Sequence, residues 1–247
     1  MMRRLKAKGA ARRGAAPSRL GGAAAFLFLL AGVCAHARGP AARPAEPSRL
    51  FQVAKAVGGA ARPDAFEFEL SGYDYRIANN GAGRRVKGGR TRLFNLRLEG
   101  ADWIERLYYA GHGGNVLLAC EVSDGESGAG FVVRLEQPSM RALWRAEVPA
   151  FNLGPPLRDG GHLYLTGIGF VAKLELETGR FVWRRAGLSG RAGEGTFNVF
   201  ALPELSGDAV LFREAKTYDP AKALTDDNRP AKTLRVHRKT GKILGIE

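Results

Sequence analysis

The sequence predicts an all-β fold made of small antiparallel sheets repeated along the chain, and three observations lead there. From Asn115 onward, short runs rich in Val, Leu, Phe and Tyr alternate with turns that contain Gly or Asp, the pattern of strand after strand. A shift of 39 residues lays GFVVRLEQPSMRALW (130–144) without a gap on GFVAKLELETGRFVW (169–183), with seven of the fifteen positions identical. A weaker copy, KTLRVHRKTGKILG, puts Thr240-Gly241 in the column of Thr178-Gly179 at a shift of 62, which implies a long insertion between the second and third copies.

The net charge of +14 is unevenly spread. Residues 1–37 hold seven basic residues (Arg3, Arg4, Lys6, Lys8, Arg12, Arg13 and Arg19) and no acid, so half of the charge resides there. A basic start, the 11-residue apolar run from Ala23 to Val33 and the small-x-small triplet Ala35-His36-Ala37 have the three parts of a secretory signal. The apolar run is short against the roughly 20 residues that span a bilayer. Cleavage after Ala37 is expected, so the chain is read as exported, periplasmic or secreted. A membrane association would require lipidation of Cys34 or a retained leader. With Cys34 removed, Cys120 is the single cysteine, and its apolar run NVLLACEV marks it as a buried, inert side chain.

Residues 38–63 read as a Pro- and Ala-rich linker, since Pro40, Pro44 and Pro47 favour extended, solvated backbone. Within it, Leu50 to Val57 is expected as a short helix ended by Gly58-Gly59. The β domain is expected over 64–247. Phe66, Phe68 and Leu70 alternate with acids, and Tyr73 to Ile77 alternates again after Ser71-Gly72, as in a hairpin with one buried face. The following NNGAGRRVKGGR is expected as a long hairpin tip that presents Arg84, Arg85 and Lys87 to solvent or to an anion. Leu93, Leu96 and Leu98 suggest another strand, and Trp103 to Tyr109 is compatible with a strand or a helical turn. Later strands are expected at 115–122, 130–135, 142–147, 162–166, 170–176, 181–185, 208–214, 233–238 and 243–246.

The repeat columns are Gly130, Leu135 and Trp144 in one copy, Gly169, Leu174, Thr178, Gly179 and Trp183 in the next, and Thr240 with Gly241 in the last. The string LELETGRFVW, with GHLYLTG before it, resembles the repeat of PQQ-like, quinoprotein-type β-propellers, whose pattern runs ALDxxTGxxxW. Glu175 stands where an Asp is usual in that pattern, Ser139-Met140 replaces Thr-Gly in the earlier copy, and Gly245 holds the tryptophan position in the last. The resemblance covers about residues 115–247. It implies sheets that stack radially, with a Gly supplying positive φ at the turn and a Trp filling the wedge between neighbours. Residues 64–247 divide into four units of 46, near the blade length of about 40 to 50. The expected architecture is therefore a small or partial propeller: three recognisable blades plus an N-terminal hairpin sheet, closed or as an open arc. Exposed sheet edges in an open arc would suit coverage by a second copy of the chain.

Reactive constellations are scarce. His112, His162 and His237 are dispersed, with His112 and His162 read as surface turn residues, and only Cys120 could join them as a metal ligand. Gly125-Glu126-Ser127-Gly128-Ala129 and Gly187-Leu188-Ser189-Gly190-Arg191 lack the second glycine of a serine elbow. Asp226-Asp227-Asn228 lacks the alternating order of a calcium loop. No cofactor, metal or nucleic-acid partner is expected. The leading expectation is a non-catalytic binding or scaffolding module of the cell envelope, similar in kind to the propeller scaffolds that help assemble outer-membrane proteins. Its partner is then a protein, with Tyr218 and Leu224 of the insertion, alongside the basic residues at 84–87, as contact candidates. The resemblance also implies a quinoprotein enzyme using pyrroloquinoline quinone as an alternative. Such enzymes hold the cofactor between a tryptophan and two adjacent cysteines, over calcium, inside about eight blades. A third alternative is a surface protein that binds acidic polymers through the basic cluster.

Overall fold

The computed structural model describes residues 49–59, 62–188, 199–215, 217–219, 222–223 and 231–247. The signal expected over 1–37, Cys34 and Leu224 lie outside the described residues. All regular structure among the described residues is strand. In chain order these are β1 (Gln52–Val53), β2 (Lys55–Gly58), β3 (Pro63–Leu70), β4 (Tyr73–Ala78), β5 (Ala82–Lys87) and β6 (Arg90–Asn95). Next come β7 (Trp103–His112), β8 (Asn115–Ser123), β9 (Gly128–Glu136), β10 (Ala142–Val148), β11 (Leu157–Asp159), β12 (His162–Gly167), β13 (Phe170–Glu175) and β14 (Phe181–Arg185). The chain continues through β15 (Glu204–Ser206), β16 (Ala209–Arg213), β17 (Thr217–Asp219), β18 (Lys222–Ala223), β19 (Thr233–His237) and β20 (Ile243–Ile246). They form four antiparallel sheets: β2-β3-β4-β5-β6, β1-β7-β8-β9-β10, β11-β12-β13-β14 and β15-β16-β19-β20, with the β17-β18 hairpin inserted before β19.

The sheets stack in chain order because the inner two are apolar on both faces. On β8, Val116, Leu118, Cys120 and Val122 join the core shared with the first sheet, while Leu117 and Ala119 point into the core shared with the third. On β12 and β13 the same alternation sends Leu163, Leu165, Phe170, Ala172 and Leu174 backward and Tyr164 and Val171 forward, against Phe212, Leu234 and Val236 of the fourth sheet. Alternation with a period of two thus builds three cores from four sheets. The outer faces of the first and fourth sheets carry charged rows, with Leu93 exposed beside Arg84 at the edge of the first. Lys55, Glu67, Arg76 and Arg84 line up across four paired strands of the first, with Glu67 ion-paired to Arg76. Arg213 pairs with Glu204 at 3.2 Å and Arg235 with Glu247 at 3.1 Å on the fourth. The first and fourth sheets share no apolar cluster among the described residues. The architecture is an all-β partial propeller, three blade-like sheets preceded by the hairpin sheet.

The three repeat turns are the same object. Met140, Gly179 and Gly241 have φ of 57°, 70° and 68°, and each donates its N–H to the carbonyl four residues back, at 2.7, 2.9 and 2.9 Å. Inside each turn a hydroxyl engages the residue three positions earlier: Ser139 with Glu136 at 2.5 Å, Thr178 with Glu175 at 2.6 Å, and Thr240 with the His237 ring at 3.0 Å. Leu135 and Leu174 are buried in successive cores, Gly130 lies near the start of β9 and Gly169 directly precedes β13. Trp144 and Trp183 stand opposite Arg134 and Lys173 on the outermost strands, and Gly245 takes that register position on β20.

Two sequence expectations are corrected here. The helix expected at 50–57 is a strap of strand. Arg158 N–H donates to the Arg49 carbonyl (2.8 Å), Leu50 bridges Leu157, Gln52–Val53 pair with Tyr109 and Tyr108, and Lys55 pairs with Glu67. The strap thereby satisfies the edge strands of the third, second and first sheets in turn. Those long-range bonds, with Phe51 and Ala54 buried, outweigh the weak local helix preference. Strand pairing accordingly begins ahead of residue 63. The long tip expected at 79–90 is two paired strands, β5 and β6, joined by the tight turn Gly88-Gly89 with φ of 53° and 76°. Trp103 to Tyr109, compatible in sequence with strand or helix, belongs to β7.

Trp183→Ala removes a ring that is 6% exposed and packs edge-on to Phe212, whereas the Trp103 ring meets Arg62 at the periphery. The expected loss for Trp183→Ala is about 3 to 5 kcal/mol, well above that for Trp103→Ala. Thermal or urea melts of both variants check this.

Candidate functional site

Each seam between successive sheets is closed by the same device. A side chain on the next-to-last strand of one sheet, and one on its last, donate to a single stretch of backbone in the next sheet's repeat turn. At the first seam Arg85 donates to the Gln137 carbonyl and Arg92 Nε to the Ser139 carbonyl at 3.1 Å. At the second, Arg134 Nη1 and Trp144 Nε1 both donate to the Leu176 carbonyl, at 3.0 and 2.8 Å. At the third, Lys173 Nζ and Trp183 Nε1 donate to the Arg238 carbonyl, at 3.2 and 3.0 Å. Gln137, Leu176 and Arg238 are one repeat column, and so are Arg85, Arg134 and Lys173. Arg92 faces Arg85 as the tryptophans face Arg134 and Lys173, so it occupies the tryptophan position of the first sheet.

What surrounds the clamp differs from seam to seam. At the second seam Arg134 is saturated. Its Nη1 lies 2.9 Å from Glu177 Oε2, and the Asn115 carboxamide oxygen, turned toward the guanidinium, accepts from Nε and Nη2 at 3.1 and 2.9 Å. His112 Nε2 sits 3.6 Å from the other Glu177 oxygen. The hydrogen bond from Arg134, with its charge, holds the Glu177 carboxyl below the ordinary carboxylate range. Burial, and then the charges of Arg134 and Arg158, hold the His112 ring below the ordinary histidine value, so it is a neutral neighbour.

At the third seam the Glu177 column is occupied by Lys239, and the space is an open cleft of about 710 Å³ between the third and fourth sheets. Asp159, His162, Lys173, Asp208, Arg238 and Lys239 line it. The β11–β12 turn (159–162) carries Asp159 and His162 in, and the fourth sheet's turns bring Asp208 and Lys239. Arg238 is spoken for: its guanidinium pairs with Asp159, donates to the Gly207 carbonyl at 3.0 Å and approaches the Tyr164 hydroxyl at 3.5 Å. Lys173 is buried, with the Arg238 carbonyl as its acceptor, and burial followed by the Arg238 charge lowers its pKa. His162 is lowered in the same way, by burial and then by Lys173. Lys239 is exposed and has no carboxylate within ion-pair distance among the described residues.

Of the residues anticipated as partner contacts, Arg84, Arg85 and Lys87 do not line this cleft. Arg85 and Lys87 turn into the first seam, with the Arg85 guanidinium 4.6 Å and the Lys87 ammonium 4.2 Å from the Tyr73 ring centroid. Arg84 alone of the three faces outward, beside Arg76 and Val86 in a shallow hollow of about 650 Å³. Tyr218 is on β17. His112 and His162, expected as surface turn residues, instead stand at the mouths of the second and third seams, partly buried. The signal for the cleft was present in the aligned copies, where Glu177 and Lys239 share a column and differ in sign.

The pyrroloquinoline quinone site implied by the repeat resemblance does not fit these residues. Both repeat tryptophans lie flat on a glycine of the next sheet, so close that a methyl group added at Gly179 or Gly241 would fall 2.6 Å from the Trp144 or Trp183 ring. Cys120 has no adjacent cysteine, and burial drives its thiol pKa upward.

No protein-family model and no curated protein matches the chain. Solved structures similar to it include a quinohemoprotein alcohol dehydrogenase from Comamonas testosteroni, with TM-score 0.46 and 13% identity over 73% of this chain and 34% of that one. The computationally designed Ika8 protein gives TM-score 0.43 and 12% identity over 73% of this chain and 48% of its own. BamB from Moraxella catarrhalis gives TM-score 0.31 and 13% identity over 80% of this chain and 78% of its own. The chain thus spans less than half the length of the first two. These are likenesses of chain trace, and the fold described above is read from the chain's own sheets and cores.

Glu177→Gln should lower the melting temperature at neutral pH. Because the folded-state pKa of Glu177 lies below its ordinary 4.5, the stabilisation is present above that value and disappears as pH falls through the folded pKa. Melting curves of the two proteins should therefore converge in acid and separate toward pH 7.

Proposed function

We propose that this chain is an exported, non-catalytic binding module of the cell envelope, and that its ligand-facing site is the cleft between the third and fourth sheets. One observation carries the reading. All three seams clamp a backbone carbonyl with equivalent donors, but at the third Lys239 stands where the second has the Glu177 carboxylate, and it lines an open cleft with no carboxylate within ion-pair distance among the described residues. Structural charges are normally paired, so charges held at a cleft without a partner suggest a ligand.

The non-catalytic part of the reading is supported by the roles already taken by the reactive groups. Lys173 is engaged in the clamp, Arg238 in a three-way brace, and Cys120 is sealed in the first core. Among the described residues no three His, Cys, Asp or Glu side chains are placed to hold a metal ion. Export is supported by the basic-apolar-small order of residues 1–37.

A photo-reactive amino acid placed at position 239, with the same group at position 91 on the outer face of the first sheet as control, tests the site in intact cells. A discrete adduct at 239 and none at 91 is expected. Equal labelling at both positions, or reduction of a dye by an alcohol or sugar after loading with pyrroloquinoline quinone and calcium, would contradict the proposal.

A further inference from the structure

We infer that the cleft between the third and fourth sheets takes a carboxylate of its ligand, in the slot that Glu177 fills one seam earlier, with Lys173 and Lys239 as its cationic partners. The inference rests on the reading of that cleft as the ligand site, and it adds the chemistry of what enters.

The chain contains its own template for the complex. At the second seam a cation on the next-to-last strand (Arg134), a turn residue (Asn115) and the repeat turn of the next sheet surround one carboxylate, that of Glu177. At the third seam Lys173 replaces Arg134, His162 replaces Asn115, and the residue that would supply the carboxylate is Lys239. Asp159 stands in the His112 position and Arg238 in the Leu176 position, and these two pair with each other, while the clamp itself is shared. The same indole-to-carbonyl bond closes each, at 2.8 and 3.0 Å, and the same positive-φ glycine underlies each ring. At the Glu177 column the exchange removes an anion and adds a cation while leaving the cation opposite it in place, and the carboxylate that enters at Asp159 is paired with Arg238.

The consequence follows from donor counting. An ammonium has three N–H donors; Lys173 uses one on the Arg238 carbonyl and lies 5.6 Å from the Tyr164 ring centroid, which leaves donors for a further acceptor. The residue is 8% exposed, so few waters reach the rest. A charge held this way gains from an incoming anion because its desolvation has already been met by folding. Asp159 does not fill the role, since its carboxylate is turned to Arg238. Lys239, exposed on the rim, adds a second positive charge that steers an acidic group inward and makes the encounter sensitive to salt. A carboxylate has two oxygens for the two ammonium groups. Two sources can present it, an acidic side chain or a polypeptide C-terminus, and the experiment separates them.

Amide NMR titrations of the mature protein with blocked hexaglutamate, and with N-acetylated hexa-alanine bearing a free C-terminal carboxylate, test this directly. Saturable shifts at residues 159–162 and 239–241 are expected with at least one peptide, and blocked hexaglutamine should give none. Which peptide saturates the cleft tells side chain from C-terminus. Lys239→Glu should weaken that binding at least tenfold and raise the melting temperature, because it places the missing carboxylate opposite Lys173. Lys239→Gln should weaken binding without the thermal gain. The absence of saturable shifts with both peptides, or unchanged affinity in Lys239→Glu, overturns the inference. A photo-adduct from position 239 alongside such a result would leave the site reading intact and remove the carboxylate alone.

Discussion

The contact on which the other features depend is an indole ring laid on a glycine. Trp144 and Trp183 each cover the positive-φ glycine of the following sheet and send their N–H to a carbonyl three residues before it. Stacked β-sheets offer each other two broad apolar surfaces, which attract without fixing an angle or a register. A ring that tolerates no Cβ beneath it, tied by a directional bond, fixes both. Where the first sheet has Arg92 instead of a tryptophan, the turn residue is Met140, whose side chain fills the first core itself. The ring and the glycine are thus two halves of one device, present together or absent together.

Three such seams leave the two terminal faces without an apolar neighbour, and the sequence treats those faces differently from the inner ones. They carry ion pairs, as a polar capping repeat does. The strap at 49–58 handles the remaining exposed feature, the row of first strands, by bonding to three of them in succession. A stretch of ten residues thereby ties together sheets whose own strands are contiguous in sequence. The same scheme explains the location of the cleft. The seam device holds the backbone in place whatever the flanking side chains are, so the Glu177 column was free to change sign at Lys239 without loss of the fold.

Much of this was legible in the residues. The 39-residue identity and the Thr-Gly columns mark the repeat because the motif is local: a turn, a strand and a ring within fifteen positions. The alternations at Phe66 to Ile77 and Asn115 to Val122 mark strands because one buried face imposes a period of two. The strap was not legible, since its strands exist only through partners at residues 67, 108–109 and 157, far away in sequence. Residues 79–90 suggest a loop because glycines and arginines dominate the composition, while the information lies in the Gly88-Gly89 pair that closes a tight turn. The cleft was hidden for a third reason. Lys239 reads as one more surface charge until the register places it opposite Lys173, and that register crosses the insertion.

The seam device can be tested apart from general backbone strain. Gly113, Gly179 and Gly241 all have positive φ, at 56°, 70° and 68°, so alanine is disfavoured at each by about 1 to 2 kcal/mol. Only at Gly179 and Gly241 does the added methyl meet a tryptophan, at 2.6 Å, whereas at Gly113 nothing lies within 4 Å. Melting temperatures of the three alanine variants, measured side by side, separate docking from strain. Gly179→Ala and Gly241→Ala should fall well below Gly113→Ala, and three equal shifts would contradict the ring-on-glycine seam as what orders the sheets.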